Sequence, residues 1–362
     1  MIKGAIAIFK RDFKKFLGNP FVIIFTLLMP IMYLVIFGNA MGGSISHVAI
    51  AVVQEEPYIG ATPLSDAVVA SLEQMAQRDS PRTFDVAVYT DEPEARRALQ
   101  NGVVSGVVIF PSPAFPNQAV RIYVDSSDYI TPQVIESGVT AALVKTGSPV
   151  QLVINKIYGN IKYIQFFGVG VIVMAIFMTT MMGGGIALIK DREMGIIEGY
   201  LVTPVKRSSI IMGMIASGTV RAFLSGFVIF IVDLLITGII LQTTENFFMV
   251  LLVLFITSIG ITSFMVSMAS RFSNQQEYAS MSAFFNLILF MTSGAFYPVI
   301  GMPDWLRWIT VINPEYYAVH ALRSIILRGQ GLSVIGLDIL ALCIFSVAAM
   351  MLGIATYRRT LE

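Results

Sequence analysis

Long apolar runs alternate with short polar breaks along most of the chain, and their lengths are those of membrane helices. A helix rises about 1.5 Å per residue, so roughly 18 apolar residues or more cross a hydrocarbon core about 30 Å thick. Six segments meet that length: 21–38, 164–189, 220–241, 247–269, 281–300 and 334–357. Ahead of the first, residues 1–18 place Ile2, Ile6, Phe9, Phe13, Phe16 and Leu17 within about 100° of a helical wheel, with Arg11 and Lys15 opposite. This predicts an amphipathic helix in the membrane interface, its apolar face down and its cations toward lipid phosphate.

Residues 40–163 break that pattern and are too polar to be a linker. Short runs from His47, Phe84, Val103 and Ala119 have strand character. Between them come a helix over 63–77 capped by Ser65, a second capped by Asp91 and stopped at Gly102, and a third from Thr131 to about Tyr158. Strands alternating with helices predict an inserted α/β domain of roughly 110 residues. Its carboxylates are scattered over turns and helix faces, with no metal, nucleophile or phosphate constellation, so a folded cap or partner-binding unit is expected.

Composition agrees with a membrane class: 56% of the 362 residues are hydrophobic and 13% charged, against about 25% charged in soluble domains. A net charge of +1 gives no basic surplus to neutralise the phosphates of nucleic acid, and none is expected as a partner. The single cysteine, Cys343, forms no internal disulfide. Lys3, Lys10, Arg11, Lys14 and Lys15 precede the first span, which places the N terminus in the cytoplasm. Six spans return the C terminus to the same side, where Arg358 and Arg359 follow the last one. The small residues of "GNAMGGS" admit a cleaved signal peptide instead, but cleavage leaves five spans and spoils the charge agreement. The expected fold class is therefore a membrane all-α protein of six transmembrane helices with an inserted extracytoplasmic α/β domain.

On the cytoplasmic side, residues 190–214 form a charged island with its own apolar face. A helix over Asp191–Leu201 would cluster Ile196, Ile197, Tyr200 and Leu201, and Thr203 with Pro204 would open a second helix. A charged rim around an apolar patch suits a protein partner better than lipid. The chain carries no G-x-x-x-x-G-K-[ST], no H-E-x-x-H and no serine elbow, so uphill movement needs an outside energy source.

The stretch "REMGIIEGYLVTPVKRSSIIMG" (Arg192–Gly213) resembles the cytosolic coupling segment of the ABC-2 type permease family. The matching residues are Glu193, Gly195, Glu198 and Thr203-Pro204; Ile196 and Gly199 depart from the pattern. The stretch "GAFYPVIGMPDWLRWITVINPEYYAVHALRSIIL" (Gly294–Leu327) resembles the family's last extracellular hairpin, with Pro298, Pro303, Trp305, Asn313, Pro314, Tyr317 and Arg323 in order. Backbone broken by proline at membrane depth must be shielded, so 301–328 is expected to form a re-entrant hairpin with Trp305, Trp308, Tyr316 and Tyr317 at headgroup depth.

The resemblance implies a non-enzymatic permease in the inner or plasma membrane. It would pair with an identical or related permease and dock on two ATP-binding subunits that hold the ATP and Mg. Arg192, Glu193, Ile197, Glu198, Tyr200, Leu201, Thr203 and Pro204 would form the ATPase-coupling interface. For the pathway, Asp233 stands out because a charge at mid-span costs about 2.5–3.5 kcal/mol on insertion scales. It is either a substrate or proton contact or a neutral acid bonded to a neighbouring helix. Met174 and Met178, in a stripe with Met181, and Asn286 join it as candidates; the methionines equally suit core packing. Ser263, Ser267 and Ser270 have the spacing of a close helix contact. A drug-like or lipid-like substrate fits best. The alternatives are a membrane-anchored receptor or scaffold with a ligand-binding outer domain, or a sodium or other ion efflux component.

Overall fold

The computed structural model describes residues 2–40, 48–54, 64–74, 83–110, 119–127, 131–145, 152–158, 161–196 and 207–360. The chain divides into two units, one made of 1–40, 167–299 and 303–362, the other of 41–166 with 300–302.

In the helical unit, α1 (Ile2–Leu17) and α2 (Pro20–Ala40) meet at an elbow. Gly18 and Asn19 end the first helix, and the Asn19 side chain accepts from the Val22 N–H at 3.4 Å, capping the second. The second long rod runs through α6 (Tyr163–Thr180), a π-helical segment (Met181–Ile186) and α7 (Ala187–Glu193). Then come α8 (Arg207–Thr237), α9 (Thr244–Ala269) and α10 (Gln275–Thr292). A hairpin of α11 (Asp304–Ile312) and α12 (Pro314–Ile326) precedes the final α13 (Leu332–Thr360).

Among the described residues, four helices are long and apolar enough to cross a membrane: Tyr163–Glu193, Ser208–Thr237, Thr244–Ala269 and Leu332–Thr356. The pair Lys3–Leu17 and Val22–Gly38, bent by 86°, makes a fifth if counted as one span. The run expected at 281–300 is distributed differently. Helix α10 begins six residues earlier with the polar turn Gln275, Gln276 and Glu277, and ends at Thr292, followed by Gly294 at φ +79°. Pro298 and Pro303 keep the helix from resuming.

The seam between α9 and α13 matches the serine spacing. The backbone of Gly353 lies against Ser263 and Ser267, and the Ser346 hydroxyl donates to the Ile256 carbonyl at 3.2 Å. Ser270 caps the C-terminal end of α9 rather than extending that seam.

The second unit holds a five-stranded sheet in the order β2-β1-β3-β4-β5. Its strands are β1 (Val48–Gln54), β2 (Phe84–Tyr89), β3 (Gly106–Phe110), β4 (Val120–Val124) and β5 (Leu152–Lys156). All pairings are parallel except β3 with β4. The central strands β1 and β3 are buried almost without a break, as a sheet covered on both faces requires. Ala51, Val53, Val107 and Ile109 pack on Ala95 and Leu99 of α4 (Glu92–Gln100). On the opposite face, Ile135 of α5 (Thr131–Lys145) reaches Gly106. Helix α3 (Leu64–Glu73) completes the unit.

Three local expectations are corrected here. Ser65 lies inside α3 rather than at its cap, and Asp91 holds the N-cap position without a side-chain cap bond. The helix from Thr131 stops at Lys145 instead of continuing to Tyr158; Gly147 and Pro149 follow, and the β-branched "LVINK" becomes β5.

Candidate functional site

Three consecutive side chains at the end of α7 each hold a different helix. Asp191, 1% exposed, accepts from Lys15 Nζ at 2.9 Å and from Arg11, tying α7 to α1. Arg192 donates to the carbonyls of Phe272 at 3.0 Å and Ser270 at 3.4 Å, beyond the end of α9, where unpaired carbonyls need donors. Glu193 accepts from the Gln275 N–H at 3.1 Å and from the Gln275 side chain, so its carboxylate sits at the N terminus of α10, where negative charge is favoured.

Helix α7 then ends. The N–H groups of Met194 and Gly195 bond back to Lys190 and Arg192, and Gly195 takes φ +68°, a left-handed position that suits glycine. A single helix over Asp191–Leu201 is therefore corrected to one that stops at Glu193. Ile197, Glu198, Tyr200, Leu201, Thr203 and Pro204 lie outside the described residues.

The cations of α1 are also placed differently from the expectation. Arg11 and Lys15 converge on Asp191, and Arg11 also holds Asp12 at 2.6 Å, rather than simply facing lipid phosphate. Burial works against the Arg11 charge, but hydrogen bonds and charges from Asp12 and Asp191 outweigh it and raise the guanidinium pKa above its ordinary value. The apolar side of α1 packs on α8: a Cβ on Gly213 would come within 2.6 Å of the Ala5 carbonyl oxygen.

The π-helical segment supplies close approach at the same level. A Cβ on Gly185 would overlap the hydroxyl of Tyr278, a fully buried side chain of α10, and one on Gly183 would stand 3.3 Å from a terminal nitrogen of Arg221. Triple glycine lets two large side chains from α10 and α8 lie on this backbone.

In the hairpin, Asn313 is the joint. Its Oδ1 accepts from the Glu315 N–H at 2.9 Å, while its Nδ2 donates to Leu289 O at 2.6 Å and to Thr292 Oγ1 at 2.9 Å. Pro303 caps α11, Pro314 opens α12, the Tyr317 hydroxyl donates to Val311 O at 2.7 Å, and Arg323 donates to Gly294 O at 3.1 Å. Pro298 is buried, whereas Trp305 and Trp308 are 67% and 74% exposed on α11. Glu315, only 1% exposed and with no hydrogen-bond partner for either carboxylate oxygen among the described residues, went unnoticed in the sequence because it sits between prolines and tyrosines at a loop-like stretch.

Asp233 is fully buried on α8 against the backbone of Gly168 in α6. Neither carboxylate oxygen finds a partner among the described residues. Met174 is buried, and Met178 and Asn286 are half-buried; no hydrogen bond or ion pair joins these three to Asp233 among the described residues. An orphaned buried polar group costs about 1–3 kcal/mol. Asp233→Leu is accordingly expected to raise the thermal unfolding midpoint in detergent; an unchanged or lowered midpoint would show that the carboxyl is satisfied.

Comparisons with known proteins show which family the chain resembles. The profile of the ABC-2 family transporter protein matches residues 20–355. "ABC transporter G family member 20" of Dictyostelium discoideum is 23% identical over 353 residues, covering 91% of this chain and 47% of that protein. "Putative transport permease ycf38" of Cyanophora paradoxa is 29% identical over 163 residues, 45% of this chain and 56% of the relative. "Inner membrane transport permease YhhJ" of Escherichia coli (strain K12) is 30% identical over 204 residues, 56% of this chain and 54% of the relative. The chain thus spans about half the length of the curated relatives it matches. With the family profile covering nearly all of its helical unit, the chain belongs to the ABC-2 family of transporter membrane proteins.

Proposed function

We propose that the chain is the permease subunit of an ATP-driven exporter that moves a hydrophobic or amphipathic, drug-like or lipid-like compound out of the cytoplasm or inner leaflet. In this reading it crosses the inner or plasma membrane six times with both termini cytoplasmic, and the α/β unit lies outside. It pairs with an identical or related permease, and the two dock on two ATP-binding subunits that carry ATP and Mg. Catalysis belongs to those subunits, and this chain only moves.

One observation carries the proposal: Asp191, Arg192 and Glu193 fasten the residues just before the 197–204 segment to α1, to the α9–α10 connection and to α10. A push on that segment is delivered to three helices at once. Swinging a pathway from 1:99 to 99:1 takes about 5.5 kcal/mol of differential binding, and a rim salt bridge contributes only about 0.2–1 kcal/mol. The docking force is therefore assigned to Ile197, Tyr200 and Leu201, with Glu198 in the rim and Glu193 committed inside the chain.

The test is co-purification of the tagged chain from its native membrane, followed by an ATPase assay. An ATP-binding subunit is expected with wild type and is expected to be lost with Glu198→Lys, Tyr200→Ala, while the variant keeps its elution volume and unfolding midpoint. Recovery of no ATPase with wild type would sink the proposal.

A further inference from the structure

The elbow of α1 and α2, the π-helical segment and α8 enclose a cavity of about 190 Å³. Its polar wall is Asp12, Lys15, Asn19, Lys190, Arg221 and Gln275; Phe16, Val22 and Ile186 supply an apolar side. Arg221 is the unusual member. It is 5% exposed, its Nε donates to the Ser217 carbonyl at 3.2 Å, and its two terminal nitrogens have no acceptor among the described residues. Its guanidinium carbon lies 5.5 Å from the Phe16 ring centroid, and a Cβ on Gly183 would stand 3.3 Å from one of its terminal nitrogens, so the fork sits between a ring and a glycine.

The carboxylates nearby do not neutralise it. Asp12 is engaged by Arg11, and Asp191 by Arg11 and Lys15. Of the charges that line the cavity, Lys15, Lys190 and Arg221 stand against Asp12; Arg11 and Asp191 lie behind Lys15 and Glu193 behind Gln275, which leaves a small surplus of positive charge centred on Arg221 and Lys190. A buried guanidinium without an acceptor is costly. Its planar fork matches two oxygens of a phosphate, and the Asn19 side-chain amide can donate to a remaining one.

We propose that this cavity binds a phosphate-bearing anion, with Arg221 as the two-pronged anchor and Lys190 as the second cation. The apolar side next to the fork suits the glycerol and first methylenes of a phospholipid. The phosphate chemistry stands on the cavity itself, while a lipid source rests on the reading of α1 as an interfacial helix. Bound there, the anion would bridge α8 to the α1 elbow beside the Asp191 latch and make that latch sensitive to it.

The experiment titrates the full chain in detergent with dihexanoyl-phosphatidylglycerol or with inorganic phosphate, and reads the thermal unfolding midpoint, which rises when a ligand binds the folded state. A saturable rise is expected with wild type. Arg221→Met is expected to weaken the apparent affinity about tenfold or more, the size of a lost charge-assisted hydrogen bond. Arg221→Lys, which keeps the charge but loses the fork, is expected to retain only part of the response. Lys190→Gln, at an exposed position that folding tolerates, weakens it about twofold to fivefold. A response to phosphatidylglycerol alone identifies a lipid headgroup; an equal, Arg221-dependent response to inorganic phosphate identifies the free ion, and the site stands in both cases. No saturable response to either probe overturns it, as does an Arg221→Met variant that responds like wild type. Should Arg221→Met fail to fold, an unaltered response in Lys190→Gln overturns it equally. None of these outcomes depends on whether an ATP-binding subunit co-purifies.

Discussion

The Arg11→Met, Lys15→Met double variant is expected to lose about 3–5 kcal/mol of stability in detergent, the range for leaving one member of a buried ion pair without its partner. Most of the cost arises at Asp191, with a smaller share at Asp12, which also loses Arg11. The Asp191 side chain is 1% exposed, and both cations that hold it come from α1. Arg11 and Lys15 are themselves 31% and 45% exposed, so water could serve them if Asp191 were the residue removed. The effect should therefore be asymmetric. Asp191→Asn alone is expected to cost far less, and adding it to the double variant should return most of the lost stability. Thermal unfolding of the four proteins completes the cycle. Equal losses from both sides would mean that Asp191 has other support.

The second large effect is expected at the π-helical segment. Gly185→Ala places a methyl group on the Tyr278 ring, whose neighbours leave it no exposed surface into which to withdraw. Overpacking of this kind costs about 1–3 kcal/mol. Gly184→Ala, one residue away, meets only Val266 at 3.6 Å, an ordinary contact, and is expected to be close to neutral. Shortening the obstacle with Tyr278→Leu should restore part of the Gly185→Ala loss. Unfolding midpoints of the two alanine variants side by side check this; similar losses at both positions would show that backbone flexibility, rather than close approach, selects the glycines.

Apolar run length made most of the helices legible. Residues 247–269 and 334–357 emerge as α9 and α13 with small extensions, because nothing in them competes with helix formation. Boundaries failed where glycine and proline punctuate polar sequence: at Gly195, which stops α7, and at Gly147 and Pro149, beyond which a helix gives way to β5. The π-helical turn within "MMGGGI" has no periodic signal, since it answers to Tyr278 and Arg221 packing from elsewhere.

For the site, the sequence marked Arg192 and Glu193 as part of a charged segment but did not reveal what they bond to within the chain. Arg192 and Glu193 carry charges that look free for a partner, yet they bond to Phe272 and Gln275 about eighty positions away. Asp191 has its cations 176 and 180 positions upstream, a separation that no local pattern reveals. Arg221 falls within the same expected span as Asp233 and could have been found by the rule that charges inside spans are functional candidates. It lies at the start of the run, where no local pattern singles it out.

The central claim is that residues 197–204 take up force from an ATP-binding partner. The most direct measurement is cysteine cross-linking in native membranes, in a Cys343→Ser background that leaves no other thiol in the chain. Cysteines are placed in turn at Ile197, Tyr200 and Leu201, with Val311 on the hairpin as a distant position. The account predicts cross-links from the first three to an ATP-binding subunit, changing in yield when ATP and vanadate trap the closed state, and none from Val311. Absence of any cross-link from 197–201, with the partner present in the membrane, would contradict it.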